Sequence, residues 1–289
     1  TFTDCHNSGI ISVISSTVNT SSNNIGGLVG YTAKNMTFDA CSNSGKTVDG
    51  VKKGIYVDQP VRHGYFDIAG CVGYIYKAKI TFLNGFNNSA DIYVKATNTY
   101  AGTYPVGGVL AVYNLANASY EGWSGTIKNS GTITFEGDAS ASSTLAVGGI
   151  IGISGTQACE ANLINTGNII INKETAKIPA TNGFGGIMGI ASGTIKNAKS
   201  LCSIEAIDVT ANIGFITGSA RNADTVVASN CVVGGSICTS MTGEGEAERP
   251  NEIELSATNY FNYIYGSADW TGVDNYDGCT FEAMPTPEE

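Results

Sequence analysis

Charge is scarce in this chain. Only 14% of the 289 residues are charged, and the 15 Lys and Arg are outnumbered by 25 Asp and Glu, for a formal net charge of −10. That balance excludes a nucleic-acid partner and an anionic membrane surface, both of which need a basic face. Histidine is rarer still: His6 and His63 stand alone, which leaves little for acid–base chemistry or for a zinc site. No apolar run approaches the ~20 residues of a spanning helix, so no transmembrane segment is expected. No nucleophile elbow, zinc spacing or phosphate loop is present, and no cofactor or metal is expected. A sustained 3.6-residue apolar period is also missing, which argues against long helices.

Glycine, by contrast, is abundant at 37 residues, and much of it recurs in a pattern. Ile25-Gly26-Gly27-Leu28-Val29-Gly30 returns as Ile68-Ala69-Gly70-Cys71-Val72-Gly73, Val106-Gly107-Gly108-Val109-Leu110-Ala111, Val147-Gly148-Gly149-Ile150-Ile151-Gly152 and Phe184-Gly185-Gly186-Ile187-Met188-Gly189. A worn copy at Ile213-Gly214-Phe215-Ile216-Thr217 is aligned with Gly214 as its second glycine. The intervals are then 43, 38, 41, 37 and 28 residues, a period that belongs to stacked units rather than one globular core.

A second motif alternates with the first. Segments starting at Cys5, Cys41, Phe86, Ile127, Leu163, Ala198 and Cys231 share an Asn-x-Gly-x-Ile pattern. Aligned on the glycine, one column reads Asn7, Asn43, Asn88, Asn129, Asn165, Ser200, Val233; another reads Ile11, Thr47, Ile92, Ile133, Ile169, Ile204, Ile237. Period-2 apolar positions with Asn and Gly at the breaks read as strands and turns. Stacked in parallel about 4.8 Å apart, like residues lie above like. The Ile column becomes core, and each Asn amide can donate to the next. The expected fold is all-β, a right-handed parallel β-helix (β-solenoid) of about six irregular coils. Residues 1–240 form the repeats, 241–284 an acidic loop and aromatic cap, and 285–289 a tail. The acidic loop is Thr242 to Pro250, read as solvated.

Neighbouring columns in the Gly-pair units, Leu28 to Phe215 and Val29 to Ile216, are both apolar. In an extended strand they face opposite ways, so a cover over one of them is expected. Of the eight cysteines, Cys5, Cys41 and Cys231 share a column with Phe, Ile, Leu and Ala, and Cys71 shares one with Leu, Val, Ile and Phe, so these four read as small buried hydrophobes. Cys159, Cys202, Cys238 and Cys279 have no partner in the pattern, and disulfides are not expected.

The connection from Gly45 to Gly70 takes 25 residues, against 18 from Gly9 to Gly27. The extra stretch carries Tyr56, Arg62, His63, Tyr65 and Phe66, and the equivalent stretch of the next unit carries Tyr93, Tyr100 and Tyr104. Read as loops leaving one edge of the stack, these eight residues are the candidate ligand-binding set, because an aromatic face packs on the apolar face of a sugar ring. The competing reading is that they pad exposed core. Asp67, Asp91 and Asp208 are the isolated acids in or near the strands. They occupy different phases and no acid–base pair is recognisable, so an enzyme is not expected.

The Ile-Gly-Gly-Leu-Val-Gly unit followed by Cys-x-Asn-x-Gly-x-Ile resembles the GLUG-type repeats of bacterial surface proteins, in a style similar to that of gut Bacteroidetes. The resemblance runs from Cys5 to about Ile237, with departures at Ala69, Ala111, Ile213 and Thr217. It implies an extracellular or cell-surface location and an adhesion or scaffold role; the expected function is adhesion or glycan binding, with a passive stalk as the alternative and a polysaccharide-cleaving β-helix enzyme as a further one. Partners on that reading are host or plant glycans or a surface protein. It supplies no catalytic residues. Asp224-Thr225-Val226 resembles an O-glycosylation acceptor of that phylum. Because Thr1 falls inside a repeat, flanking domains of a longer chain are expected.

Overall fold

The computed structural model describes residues 1–17, 21–48, 51–60, 64–97, 102–113, 120–137, 144–155, 158–172, 183–207, 212–220, 226–239, 252–266 and 278–284. The acidic run at 242–250 and the tail at 285–289 lie outside them, as do Asp208, Asp224 and Thr225. Among the described residues the chain is all-β, with one short 3-10 turn at Tyr260–Tyr263 and no α-helix.

Its strands form long parallel ladders, and successive chain segments add to each ladder in sequence order. The first ladder holds Asn23–Gly26, Gly64–Ala69, Gly102–Gly107, Thr144–Gly148, Gly183–Gly185 and Asn212–Gly214. The second holds Val29–Thr32, Val72–Ile75, Leu110–Val112, Ile151–Ile153, Met188–Ala191 and Thr217–Ala220. A third begins with Phe2–Thr3 and His6–Asn7 and continues through Met36–Asn43, Ile80–Asn88, Thr126–Asn129 and Asn162–Asn165. A fourth runs Ile11–Ile14, Ile55–Pro60, Ile92–Thr97, Ile133–Gly137 and Ile169–Asn172. Lys199–Ala206 pairs with the last strand of both, so the third and fourth ladders merge into one sheet. The cause is local: Ser200-Leu201-Cys202 replaces Asn-x-Gly there, and without the turn residues the chain runs straight on.

The Asn column forms a continuous hydrogen-bonded file. Asn7 Nδ2 donates to Asn43 Oδ1 at 2.9 Å, Asn43 to Asn88 at 2.9 Å, Asn88 to Asn129 at 2.7 Å and Asn129 to Asn165 at 2.9 Å. The second proton of Asn88, Asn129 and Asn165 goes to the carbonyl two residues on, at Ala90, Gly131 and Gly167, each at 3.0 Å. These amides are buried, and satisfying donors and acceptors together offsets their desolvation. The file explains the second glycine of each pair. A Cβ on Gly70, Gly108 or Gly149 would sit 2.4–2.5 Å from the Cγ of Asn88, Asn129 or Asn165. Amide and glycine are therefore two halves of one packing unit.

Pairing corrects the alignment of the sixth copy. Gly214 pairs with Gly185 and Thr217 with Met188. Phe215 thus takes the second-glycine position, and Gly218 follows Thr217 as Gly189 follows Met188. The substitution matches its partner column: where Phe replaces Gly, Val233 replaces Asn. A second correction concerns the long insertion. Lys46–Val48 and Val51–Lys53 form an antiparallel hairpin, and Ile55, not Thr47, pairs with Ile11 and Ile92.

The two adjacent apolar columns need no external cover. Cys71, Val109, Ile150 and Ile187 stand at the bend between the first two ladders rather than in a strand, so alternation does not apply to them. They and Val72, Leu110, Ile151 and Met188 all enter one core. Phe2, Phe38 and Phe82 stack in register inside the third ladder, with centroids 5.2 and 5.6 Å apart. Trp123 closes the column edge-on to Phe82 at 4.7 Å.

The far end is covered in pieces. Glu252–Glu254 pairs antiparallel with Ser236–Cys238, and Thr280–Phe281 pairs parallel with Val232–Val233. Phe215 and Ile216 donate to the carbonyls of Tyr263 and Ile264. Covering the last strand matters because an open edge invites pairing with other chains.

Removing a middle rung of the Asn file leaves buried groups without partners. Asn129→Ala is expected to destabilise the chain by roughly 2–4 kcal/mol, read from the urea midpoint. Asn7→Ala, at the part-exposed end, is expected to lose less than about 1 kcal/mol.

Candidate functional site

The fourth ladder shows how alternation divides this surface. Ile55, Val57, Ile92, Val94, Ile133 and Phe135 point inward and are buried. The residues between them point outward and align in register as Ser12, Tyr56, Tyr93 and Thr134. Tyr56 and Tyr93 stack with centroids 4.9 Å apart and planes 5° from parallel. Tyr93 Oη donates to Glu136 Oε2 at 2.5 Å, which fixes the ring. Partial burial first, and Glu136 second, hold the Tyr93 phenol above the ordinary tyrosine range, so it stays a neutral donor. On the other side of Tyr56 stands Ser12, too small to cover an aromatic ring, and Tyr56 is 36% exposed. The stack thus ends in an open aromatic face on a rigid strand. Asp58, Lys95 and Glu136 align beside it as a column of alternating charge.

The remaining candidates divide differently. Phe66 and Tyr104 are not loop residues. They lie in the first-ladder strands Gly64–Ala69 and Gly102–Gly107, are fully buried, and meet edge-on at 6.5 Å. Their phase places them with Ile68 and Val106 on the face that packs inward, so they are core. Arg62, His63 and Tyr100, and the side chain of Tyr65, lie outside the described residues. Of the eight candidates, the structure brings together Tyr56 and Tyr93.

A second aromatic group was missed from the sequence. Tyr31 and Tyr74 align in register in the second ladder and stack at 5.9 Å. Tyr74 stacks on Tyr76 at 6.4 Å, and Lys77 Nζ lies 5.2 Å from the Tyr76 ring centre. Tyr31 and Tyr76 are 49% and 44% exposed. The signal was available: both residues follow the closing glycine of their repeat, Gly30 and Gly73. The Gly-pair columns drew attention one residue short of it.

Among the described residues, the singled-out acids Asp67 and Asp91 stand in separate elements. Asp91 Oδ1 accepts from Thr132 N at 2.8 Å and serves a turn. Asp67 lies in the first ladder between Asn24 and Pro105. It is buried, neither carboxyl oxygen has a partner, and Asn24 Oδ1 beside it has none either. Burial pushes its pKa up to about 8. His6 bridges Asp4 and Ser42 at 2.9 and 2.8 Å on the surface. Among the described residues, no three His, Cys, Asp or Glu side chains are placed to hold a metal ion, and no helix is long and apolar enough to cross a membrane.

Compared with known proteins, the chain matches no family model, no curated protein and no solved structure.

Asp67 makes a signed prediction. Its folded pKa of about 8 lies above the ordinary 3.8, so between those values the folded state binds the extra proton. Stability is then fullest below about pH 4, falls by up to about 1.4 kcal/mol per pH unit as pH rises, and levels off above about pH 8. Denaturation midpoints at pH 5 and pH 8 should differ in the wild type. In Asp67→Asn most of that difference should vanish.

Proposed function

We propose that this chain is a ligand-binding module of an exported bacterial surface protein, with glycans of host or plant origin as its ligands. The observation that carries this reading is the Tyr56–Tyr93 stack. A pyranose ring presents apolar C–H bonds on one face, which pack on an uncovered aromatic ring. The hydroxyls around that ring need fixed polar partners, and Asp58, Lys95 and Glu136 stand in the next outward column. A fixed strand holds these groups in place before binding, so little ordering entropy opposes association. The Tyr31–Tyr74–Tyr76 group with Lys77 repeats the same chemistry on another ladder.

The parallel ladders support a right-handed β-solenoid of about six irregular coils, each coil passing once through every ladder. Handedness follows the strong preference for right-handed parallel crossovers. The paired Gly and Asn motifs favour membership of the GLUG-type repeat family, and with it a cell-surface location. An extended solenoid is also a natural spacer, and a passive stalk is the reading to set against binding. It is favoured by the structural use of nearly every repeated residue.

A glycan array probed with the purified chain separates the two. Retention of a defined glycan is expected, with Tyr56→Ala lowering affinity roughly tenfold or more, about 1.4 kcal/mol, while the melting temperature holds. Tyr93→Ala should weaken binding through loss of the ring that supports Tyr56. Absence of any retained glycan supports the stalk. Unchanged retention by both variants moves the site elsewhere.

A further inference from the structure

The corner column of the third ladder opens with Cys5 and Cys41 and closes with two more cysteines. Cys279 stood outside the repeat pattern in the sequence, yet pairing makes it the last member of that column. Val232 pairs with Thr280 and Val233 with Phe281, which sets Cys279 beside Cys231. Thr280 N donates to Cys231 O at 2.8 Å, and Glu282 N to Val233 O at 3.0 Å. Gly278 is left-handed at φ 69°, like Asn230 at φ 53° and Asn197 at φ 58° in the same position of the two preceding strands. The chain therefore turns the same corner once more before Cys279.

Register neighbours in a parallel ladder lie about 4.8 Å apart, inside the roughly 4.4–6.8 Å Cα window of a disulfide. The Cys231 thiol donates to the carbonyls of Ile195 and Ser229 at 3.6 and 3.5 Å and lies against the Cys279 side chain. Cys5 and Cys41 share a register at the opposite end, where their thiols likewise donate to carbonyls, those of Thr3 and of Phe2 and Asp39. Thr280–Phe281 is only two residues long and lies at the end of the sheet. Its added tethers are a hydrogen bond from Tyr260 Oη to Cys279 O at 3.0 Å and a part-exposed ion pair from Lys199 to Glu282 at 2.6 Å, and such exposed pairs contribute little.

We propose that Cys231 and Cys279 are an oxidisable pair whose disulfide clamps the final strand over the end of the third ladder. The oxidant is a small-molecule disulfide such as oxidised glutathione. Both thiols are buried, so attack follows local opening of the two-residue strand; the exposed thiolate then attacks the small disulfide, its S–S bond breaks, and one small thiol leaves. The second protein thiolate then displaces the other small thiol as the Cys231–Cys279 bond forms. The protein loses two electrons and two protons, and the protons end on the two released thiols. The inference rests on this contact geometry and not on the surface-protein reading.

The test is thiol counting and peptide mapping on the whole chain. After incubation with oxidised glutathione, the chain is unfolded and alkylated. The count is expected to be two fewer than the eight cysteines present, with a single cross-linked peptide pair containing Cys231 and Cys279. Oxidation should raise the melting temperature, and a reductant should reverse the rise. Cys279→Ser should keep its folded signature but show neither cross-link nor shift. Eight alkylated thiols after oxidation, or a bond that joins other cysteines, would overturn the proposal.

Discussion

Everything in this architecture depends on a single file of buried amides. An Asn side chain has one acceptor and two donor protons, and inside a protein each must be used. Here one proton passes along the stack and the other returns to the local backbone. That arrangement demands an Asn at the same position in the next repeat, at the spacing of a parallel ladder. It also demands bare backbone beside it, because Gly70, Gly108 and Gly149 leave no room for a Cβ against the amide. The repeat is thus a physical constraint before it is a sequence motif. Where the file stops, both halves change together: Ser200 faces Gly186, and then Val233 replaces Asn as Phe215 replaces Gly. The corner straightens at the same place and two ladders fuse.

With the interior committed to this file and to stacked aliphatic and aromatic columns, function is left to the outward positions. These vary freely from coil to coil, as the column Ser12, Tyr56, Tyr93, Thr134, Ile170, Glu205 illustrates. Among the described acids, Asp67 and Asp91 sit in different elements doing different work. Asp67, buried and with no partner for its carboxyl oxygens among the described residues, is placed against the logic of its surroundings, and it ties stability to pH.

Much of the fold was legible because it is written in columns. The Asn file, the Ile core and the burial of Cys41, Cys71 and Cys231 all follow from aligning repeats, since a parallel ladder places identical positions in contact. Errors arose where the repeats lose a landmark. Gly214 was matched to the wrong glycine because Phe215 occupies the true position. Thr47 stood in for Ile55 because a hairpin separates the turn from its strand. Two of the eight candidates were misread for a related reason. Tyr104 and Phe66 were assigned to loops by distance from the motifs, although Phe66-x-Ile68 and Tyr104-x-Val106 carry the alternation of a buried strand. Tyr56 and Tyr93 belong to the opposite phase and do reach the surface. Cys279 was invisible as a partner because a long stretch of sequence without the repeat motifs separates it from Cys231.

The most direct test of the account is hydrogen exchange at the asparagine side-chain amides, measured by NMR on the intact chain. If the amide file holds the coils together, the Nδ2 protons of Asn88 and Asn129 exchange as slowly as the backbone amides of the buried Ile92 and Ile133 strands. Asn35, on the exposed surface, exchanges quickly. Fast exchange at Asn88 and Asn129, on the timescale of Asn35, would contradict the account.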